Sequence, residues 1–228
     1  MSFPLSYFFD LSRFSHQTLF QGTTYPWEAL LLLEKYLSSQ VLGRQQGTIS
    51  PSAYLTHPEL ITIGQGSIVE PGAYISGPCI IGNHCVIRHG AYIRGNVLTG
   101  DGCIIGHDSE VKNAIFLDNV HAAHFAYVGD SILGNSVNLG AGTKCANLKL
   151  DRKTIKCFFE SKKIDTGMTK LGAIIGDRTQ LGCNVVTNPG SLLGQDVFSH
   201  PCLNLEGFIP SNSLVRAPAK PIIQKKTS

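Results

Sequence analysis

The feature that most constrains this chain is a six-residue period. Stepping by six from Ile63 gives Ile63, Val69, Ile75, Ile81, Ile87, Ile93, Thr99, Ile105, Val111, Leu117 and Ala123, nine of them Ile, Val or Leu. Four residues after each runs a second column: Ser67, Ala73, Cys79, Cys85, Ala91, Val97, Cys103, Ser109, Ile115, His121 and Tyr127, small until its last members. A period of six fits neither a helix at 3.6 nor an amphipathic strand at 2. It fits a chain that turns a corner every six residues, so that three hexads close one triangular coil. The branched residue fills the interior, and the small one packs where a larger side chain would collide. The expected fold class is therefore all-β, a left-handed parallel β-helix of hexapeptide repeats.

The repeat returns at Leu133 and Leu139, and again at Ile175, Leu181, Thr187 and Leu193. Between Ala123 and Leu133 the step is ten residues instead of twelve, which places a frame slip around His124 to Asp130. Between Cys145 and Ile175 the period vanishes into a polar, lysine-rich stretch, with Asp151 and Lys163 where aliphatics belong. This predicts a loop or hairpin leaving the prism near 148–170. Ahead of the repeat, Pro26 can occupy the first position of a helix, and Leu30, Leu33, Leu37 and Val41 form an apolar stripe at helical spacing. Three parts follow: an N-terminal helical appendage over 1–60, the β-helix over 61–205, and a basic, Pro-containing tail over 206–228. Departures from so strong a pattern are where function tends to lie.

Lys+Arg exceed Asp+Glu by 19 to 16. So mild an excess argues against nucleic-acid binding, which leaves a stronger, clustered basic footprint. No apolar run approaches the ~20 residues of a membrane helix. The aromatic N-terminus has no basic region before it and is broken by Asp10, so no secretory signal is expected and the chain reads as cytoplasmic. Seven cysteines include no C-x-x-C pair, which removes the common zinc-ribbon and redox readings. Cys79, Cys85 and Cys103 fall in the small interior column and read as reduced core cysteines.

At the position following each aliphatic residue, which points outward at a corner, stand Arg88, Arg94, Lys112 and His124. Residues eighteen apart stack on one face at roughly ~4.8 Å, so Arg88, Gly106 and His124 are predicted to share a column, with Arg94 and Lys112 in the next. A gap at Gly106 between a cation and an imidazole suits a phosphate at one end and proton transfer at the other. Taken singly, an outward Arg or Lys on such a prism is more often a solvated edge charge, and a lone His a surface or interface residue. His124 gains weight from its place at the slip, with Tyr127 three residues on and Asn138, Asn147, Lys153 and Lys156 downstream.

The stretch His121-Ala-Ala-His124-Phe-Ala-Tyr127-Val-Gly-Asp130, followed by Val137-Asn-Leu-Gly-Ala-Gly-Thr143, resembles the acetyltransferase domain of the bifunctional glucosamine-1-phosphate acetyltransferase/uridyltransferases. Ala146-Asn147-Leu148 to Lys153, Ile164 to Gly176, and Asn188-Pro189-Gly190 are similar to the archaeal-type branch. The likeness covers roughly residues 60–200, and Tyr25-Pro26-Trp27-Glu28 resembles that group's linker. The resemblance implies a homotrimer that uses acetyl-CoA as co-substrate and needs no metal. It places the general base on His124 and a transition-state-stabilising tyrosine on Tyr127. Sugar-phosphate contacts fall on Arg88, Lys112, Asn138 and Lys153, with Lys156 an added archaeal-type candidate. Acetyl-CoA contacts fall on the Ala141 backbone and Asn147, and Cys183 stands where the family has a serine. Leu148 replaces a family tyrosine.

The residue types support that chemistry on their own. An amino sugar arrives largely as an ammonium ion, and a neutral imidazole, titrating near ~6.5 in water, can take its proton. The amine then attacks the thioester, and a preorganised donor such as the Asn147 amide or the Tyr127 hydroxyl meets the developing oxyanion, each worth ~3 kcal/mol. Glucosamine-1-phosphate is the first expected acceptor and galactosamine-1-phosphate the second, a role in amino-sugar metabolism toward UDP-N-acetylglucosamine. Only about 60 residues precede the repeat and no G-x-G-x-x-G or Walker sequence appears, so nucleotidyl transfer is not expected. Two rival readings stand beside this one. One is a zinc enzyme like the γ-class carbonic anhydrases, given eight histidines; the other is a non-catalytic trimeric module that binds a sugar nucleotide.

Overall fold

A computed structural model describes residues 4–160 and 162–217. The chain winds as a left-handed parallel β-helix whose coils stack into three parallel sheets of nine, eight and eight strands. The nine-stranded sheet runs from Thr48–Ile49 to Leu214–Val215. The second, here the tyrosine sheet, runs from Tyr54–Thr56 to Asn204–Leu205. The third, the covered sheet, runs from Ile61–Ile63 to Phe208–Ile209. The prism thus begins at Thr48 and continues to Val215, wider at both ends than the expected 61–205. Of the basic tail, residues 218–228 lie outside the described residues.

Most inward aliphatics are followed three residues later by a residue with positive φ, as at Gly66, His84, Gly90, Asn96 and Gly102. That conformation turns the chain through the corner, and Gly, Asn and Asp adopt it at least cost. Ile87 pairs with Ile105, eighteen residues on, but Ile105 pairs with Ala122 and Val111 with Val128, seventeen on. The shortening comes from two five-residue steps, Val111 to Phe116 and Val128 to Leu133, at the same edge of consecutive coils. There the left-handed residue comes one place early, at Asn113 and Asp130.

These steps correct the expected register. Phe116 and Ala122 fill the interior in place of Leu117 and Ala123, and Ala114, Val120 and Ala126 continue the small column in place of Ile115, His121 and Tyr127. The ten-residue step was two single deletions, one of them upstream of His124. Leu117 misled because it is buried too, on the outer side of the covered sheet. Cys79, Cys85 and Cys103 are free and buried inside the prism.

The covered sheet is apolar on both faces. Its outward Ile80, Leu98, Ile115, Ile132, Ile174 and Leu192 pack against Phe8, Phe9, Phe14, Phe20, Trp27, Leu33 and Leu37 of the N-terminal segment. The helix α1 spans Glu28–Ser38, two residues after Pro26, which lies in the preceding turn rather than at the first helical position. Leu30, Leu33 and Leu37 are buried, whereas Val41 lies beyond the helix and is 74% exposed, so it leaves the expected stripe. The excursion is a hairpin, Lys156–Phe159 antiparallel to Lys162–Asp165, whose stem closes where Leu171 N donates to Asn147 O. Ile155, Cys157 and Met168 of the excursion join the same outer cluster. Leu33→Ala is expected to lower stability by about 2–5 kcal/mol, since it opens a cavity in that cluster, while Val41→Ala changes it by less than about 0.5 kcal/mol. Chemical denaturation of the two variants checks both values.

Candidate active site

Two edges of the prism, one on each side of the tyrosine sheet, gather the polar chemistry. The first edge lies between the nine-stranded and tyrosine sheets. Seventeen-residue spacing puts His124 in register with His107, and the Gly142 N–H donates to His124 O at 3.0 Å, which sets Ala141 beside it on the next coil. Ala141 O in turn accepts from Asn184 N, so Cys183 continues the column. The His124 side chain is exposed. Next to it Phe125 adopts φ +51° with its ring 53% exposed, an uncommon conformation for a bulky residue, held here by the corner. The Phe125 ring meets His107 edge-on at 5.1 Å, and His107 stacks on His89 at 5.6 Å.

The second edge lies between the tyrosine and covered sheets, where the two deletions occur. Arg94 Nη1 reaches Glu110 Oε1 at 2.7 Å, and Lys112 Nζ reaches Asp130 Oδ2 at 3.2 Å. Asp130, only 5% exposed, also accepts from Asn113 Nδ2 at 2.7 Å and from Asn147 Nδ2. Tyr127 extends from the tyrosine sheet, opposite Glu110 on one side and Lys144 on the other, and its hydroxyl and the Asn147 amide nitrogen both lie against Gly129. Burial, with the charges of Glu110 and Asp130 added, pushes its phenol above the ordinary tyrosine value. Tyr127 therefore keeps its proton at neutral pH and serves as a donor. The Glu110 hydrogen bond likewise holds Arg94 more firmly protonated.

Two hollows open along this edge. A cleft of about 340 Å³ is lined by Arg94, Lys112 and Asn113 together with Asn96 and with Glu34 of α1. The Asn96 Oδ1 is buried without a partner. Further on, a hollow of about 1060 Å³ lies between the excursion and the corners at Asn188-Pro189-Gly190 and Glu206-Gly207. It has Leu148, Ile155 and Phe158 for apolar walls and Lys149, Lys156 and Lys163 for charge.

The expected residues are thus divided. His124, Ala141 and Cys183 share the first edge, and Lys112 and Asn147 share the second, with Tyr127 between them. Arg88 does not stack with His124: Ile87 pairs with Ile105, which sets Arg88 beside Gly106, and the seventeen-residue coil then brings Ala123 to that column. Asn138 lies half-buried within the nine-stranded sheet, between His121 and Gln180. Lys153 is exposed at the base of the excursion, and Lys156 lies 4.0 Å from Asp165. Arg94, Glu110 and Asp130 are the members of the second edge that residue-by-residue reasoning left without a role. The eighteen-residue spacing of Arg94 and Lys112 was a readable signal, whereas Asp130 needed the register. Among the described residues no group of three or more His, Cys, Asp and Glu is placed to hold a metal ion, and no helix is long and apolar enough to cross a membrane.

The GMPPB C-terminal domain family matches residues 75–157. The bifunctional protein GlmU of Methanococcus maripaludis is 36% identical over 203 residues, covering 89% of this chain and 48% of that protein. Over most of its length the chain is therefore similar to about half of a GlmU protein. A bifunctional sugar-1-phosphate nucleotidylyltransferase/acetyltransferase of Sulfurisphaera tokodaii is 42% identical over 85 residues, 37% of this chain and 21% of that protein. The uncharacterized acetyltransferase YaiX of Escherichia coli is 31% identical over 153 residues, 67% of this chain and 66% of that protein. The chain therefore spans about half or less of the length of the bifunctional relatives.

Gly129 ties the second edge together, because a Cβ there would stand 2.6 Å from Tyr127 Oη and 2.7 Å from Asn147 Nδ2. Gly129→Ala is expected to push the Tyr127 ring aside while the prism stays folded. Tyrosine ring resonances in NMR check this: Tyr127 should shift and the distant Tyr54 should not.

Proposed function

We propose that the chain is an acetyl-CoA-dependent N-acetyltransferase acting on the amine of an amino-sugar 1-phosphate, with glucosamine-1-phosphate the first candidate and galactosamine-1-phosphate the second. The observation that carries this reading is an exposed imidazole, His124, together with a donor-rich edge built from Arg94, Lys112 and Tyr127. The sulfurisphaeral relative's designation as a sugar-1-phosphate enzyme with acetyltransferase activity points to the same substrate class. The 340 Å³ cleft beside Arg94 and Lys112 suits the phosphate, since two fixed cations bind it through charge-assisted contacts. The 1060 Å³ hollow, apolar with lysines around it, suits the long apolar arm and the phosphates of acetyl-CoA. His124 takes a proton from the substrate ammonium, and the free amine attacks the thioester carbon. The C–S bond then breaks, and the thiolate of CoA leaves and is protonated. Over this sequence the Tyr127 O–H donates to the carbonyl oxygen as negative charge builds on it.

Removing the imidazole removes the base. His124→Ala is expected to lower kcat by about 10²–10⁴ with the melting temperature unchanged, because the side chain is exposed. Retention of more than half the activity would make His124 a bystander and leave the reaction without the base assigned here.

The separation of the two edges bears on assembly. About five residues of extended chain, roughly 15 Å, lie between His124 and the second edge of the same subunit. A site that needs both is completed when the His124 edge of one subunit faces the Lys112 edge of the next, as in a cyclic trimer. Co-expressing His124→Ala with the Arg94→Ala/Lys112→Ala double variant, and assaying kcat/KM at low substrate, tests this arrangement. Random mixing would leave about a quarter of the sites with both native edges, and activity would rise to that level. A mixture no more active than its parents would place each site within one subunit.

A further inference from the structure

We propose that Asp130 is a positioning residue that fixes the Asn147 amide nitrogen toward Tyr127, so that Asn147 donates to the Tyr127 oxygen and the Tyr127 O–H is the donor left free for the ligand. The chemical consequence rests on the acetyl-transfer reading; the geometry does not. Asp130 sits at the second deletion, with φ +48° and nearly no exposure. Its backbone is pinned on both sides, N–H to Lys112 O at 3.1 Å and O from Gly172 N at 2.7 Å. It thereby joins the coil to Gly172, where the chain re-enters the prism after the excursion. Its carboxylate receives Asn113, Lys112 and Asn147.

A carboxylate only accepts hydrogen bonds, so the Asn147 side chain must turn its nitrogen, and not its oxygen, toward Asp130. An amide nitrogen carries two hydrogens. With one directed to Asp130 Oδ2, the other is available to Tyr127 Oη, which lies close to the same nitrogen: both crowd the point where a Gly129 Cβ would stand, at 2.6 and 2.7 Å. A phenol oxygen that accepts this bond keeps its own proton to give elsewhere. The Asn147 amide, engaged twice, is not free to meet an oxyanion itself. The sequence alone leaves both Asn147 and Tyr127 open as donors to the oxyanion, whereas Asp130 separates their roles.

The exchange of the pair distinguishes this from mere support of the fold. Tyr127→Phe sets the reference loss in kcat, about 10²–10³ for a donor to a developing oxyanion. In Asp130→Asn the partner no longer dictates which way the Asn147 amide turns, and kcat should fall toward that reference. In the double variant Asp130→Asn/Asn147→Asp an amide–carboxylate pair is restored, and thermal stability should recover relative to either single change. The carboxylate now sits beside Tyr127, however, and takes its O–H, so kcat should stay near the Tyr127→Phe value with KM for the sugar phosphate little changed. Recovery of kcat along with stability would show that the pair only holds the excursion, and would overturn the proposal. A second measurement needs no activity. In protein labelled with 3-fluorotyrosine, with the Tyr127 signal assigned by its loss in Tyr127→Phe, Asn147→Ala should move the Tyr127 titration to higher pH. An unmoved titration would also overturn the proposal, whatever the chain acetylates. A titration that moves in a protein that transfers no acetyl group would instead uphold the positioning role and refute the acetyl-transfer reading.

Discussion

Everything in this molecule depends on one packing constraint: each coil must return an aliphatic side chain to the same narrow interior. The interior is close-packed, so a coil that gains or loses a residue must absorb the change at a corner and not along a strand. That is where both deletions fall, and the left-handed residue moves with them to Asn113 and Asp130. A corner shortened by one residue draws the backbone inward. Asp130, at the second of these corners, is buried among its hydrogen-bond partners. The deletions keep the interior filled, with Phe116 and Leu133 where the pattern demands an apolar residue, and they concentrate polar groups at one edge.

Electrostatics then separates the two edges. At the second edge the charges are matched within the chain, Arg94 with Glu110 and Lys112 with Asp130. The pairs fix the geometry of the cations, and the part-exposed Arg94–Glu110 pair adds little stability beyond that. Both cations are thus held in place before any ligand arrives. At the first edge His124 is exposed and its neighbours are rings and backbone. One edge is built to hold charge, the other presents a column of imidazoles, His89, His107 and His124. The N-terminal segment seals the remaining sheet with Trp27 and a set of phenylalanines, which leaves the nine-stranded and tyrosine sheets as the faces open to neighbours.

The period from Ile63 to Val111 made the prism legible, because the inward position there tolerates almost nothing but Ile, Val or Thr. Register was lost at Leu117, for a physical reason: the covered sheet is apolar on both sides, so Leu117 and Phe116 both look like interior residues. The signal was present in the second column, where Ile115, His121 and Tyr127 are too large for a place that Ala and Cys fill elsewhere. Read as a shift, it would have turned Tyr127 outward and moved His124 away from Arg88. Val41 was counted with the helix because the spacing fits, but the helix ends at Ser38 and spacing carries no information about a stop. Asn147, Lys112 and Tyr127 were legible as polar residues in a motif. Their connection through Asp130 was not, because it depends on a hydrogen-bond network spanning coils seventeen residues apart.

The most direct test of this account is thiol release from acetyl-CoA by the purified chain across a panel of amino-sugar phosphates, their unphosphorylated amino sugars, and the corresponding N-acetylated compounds. The account predicts turnover only where a free amine and a phosphate occur together, with glucosamine-1-phosphate or galactosamine-1-phosphate the best acceptor. No thiol release above the uncatalysed rate with any phosphorylated amino sugar, or equal rates with and without the phosphate, would contradict it.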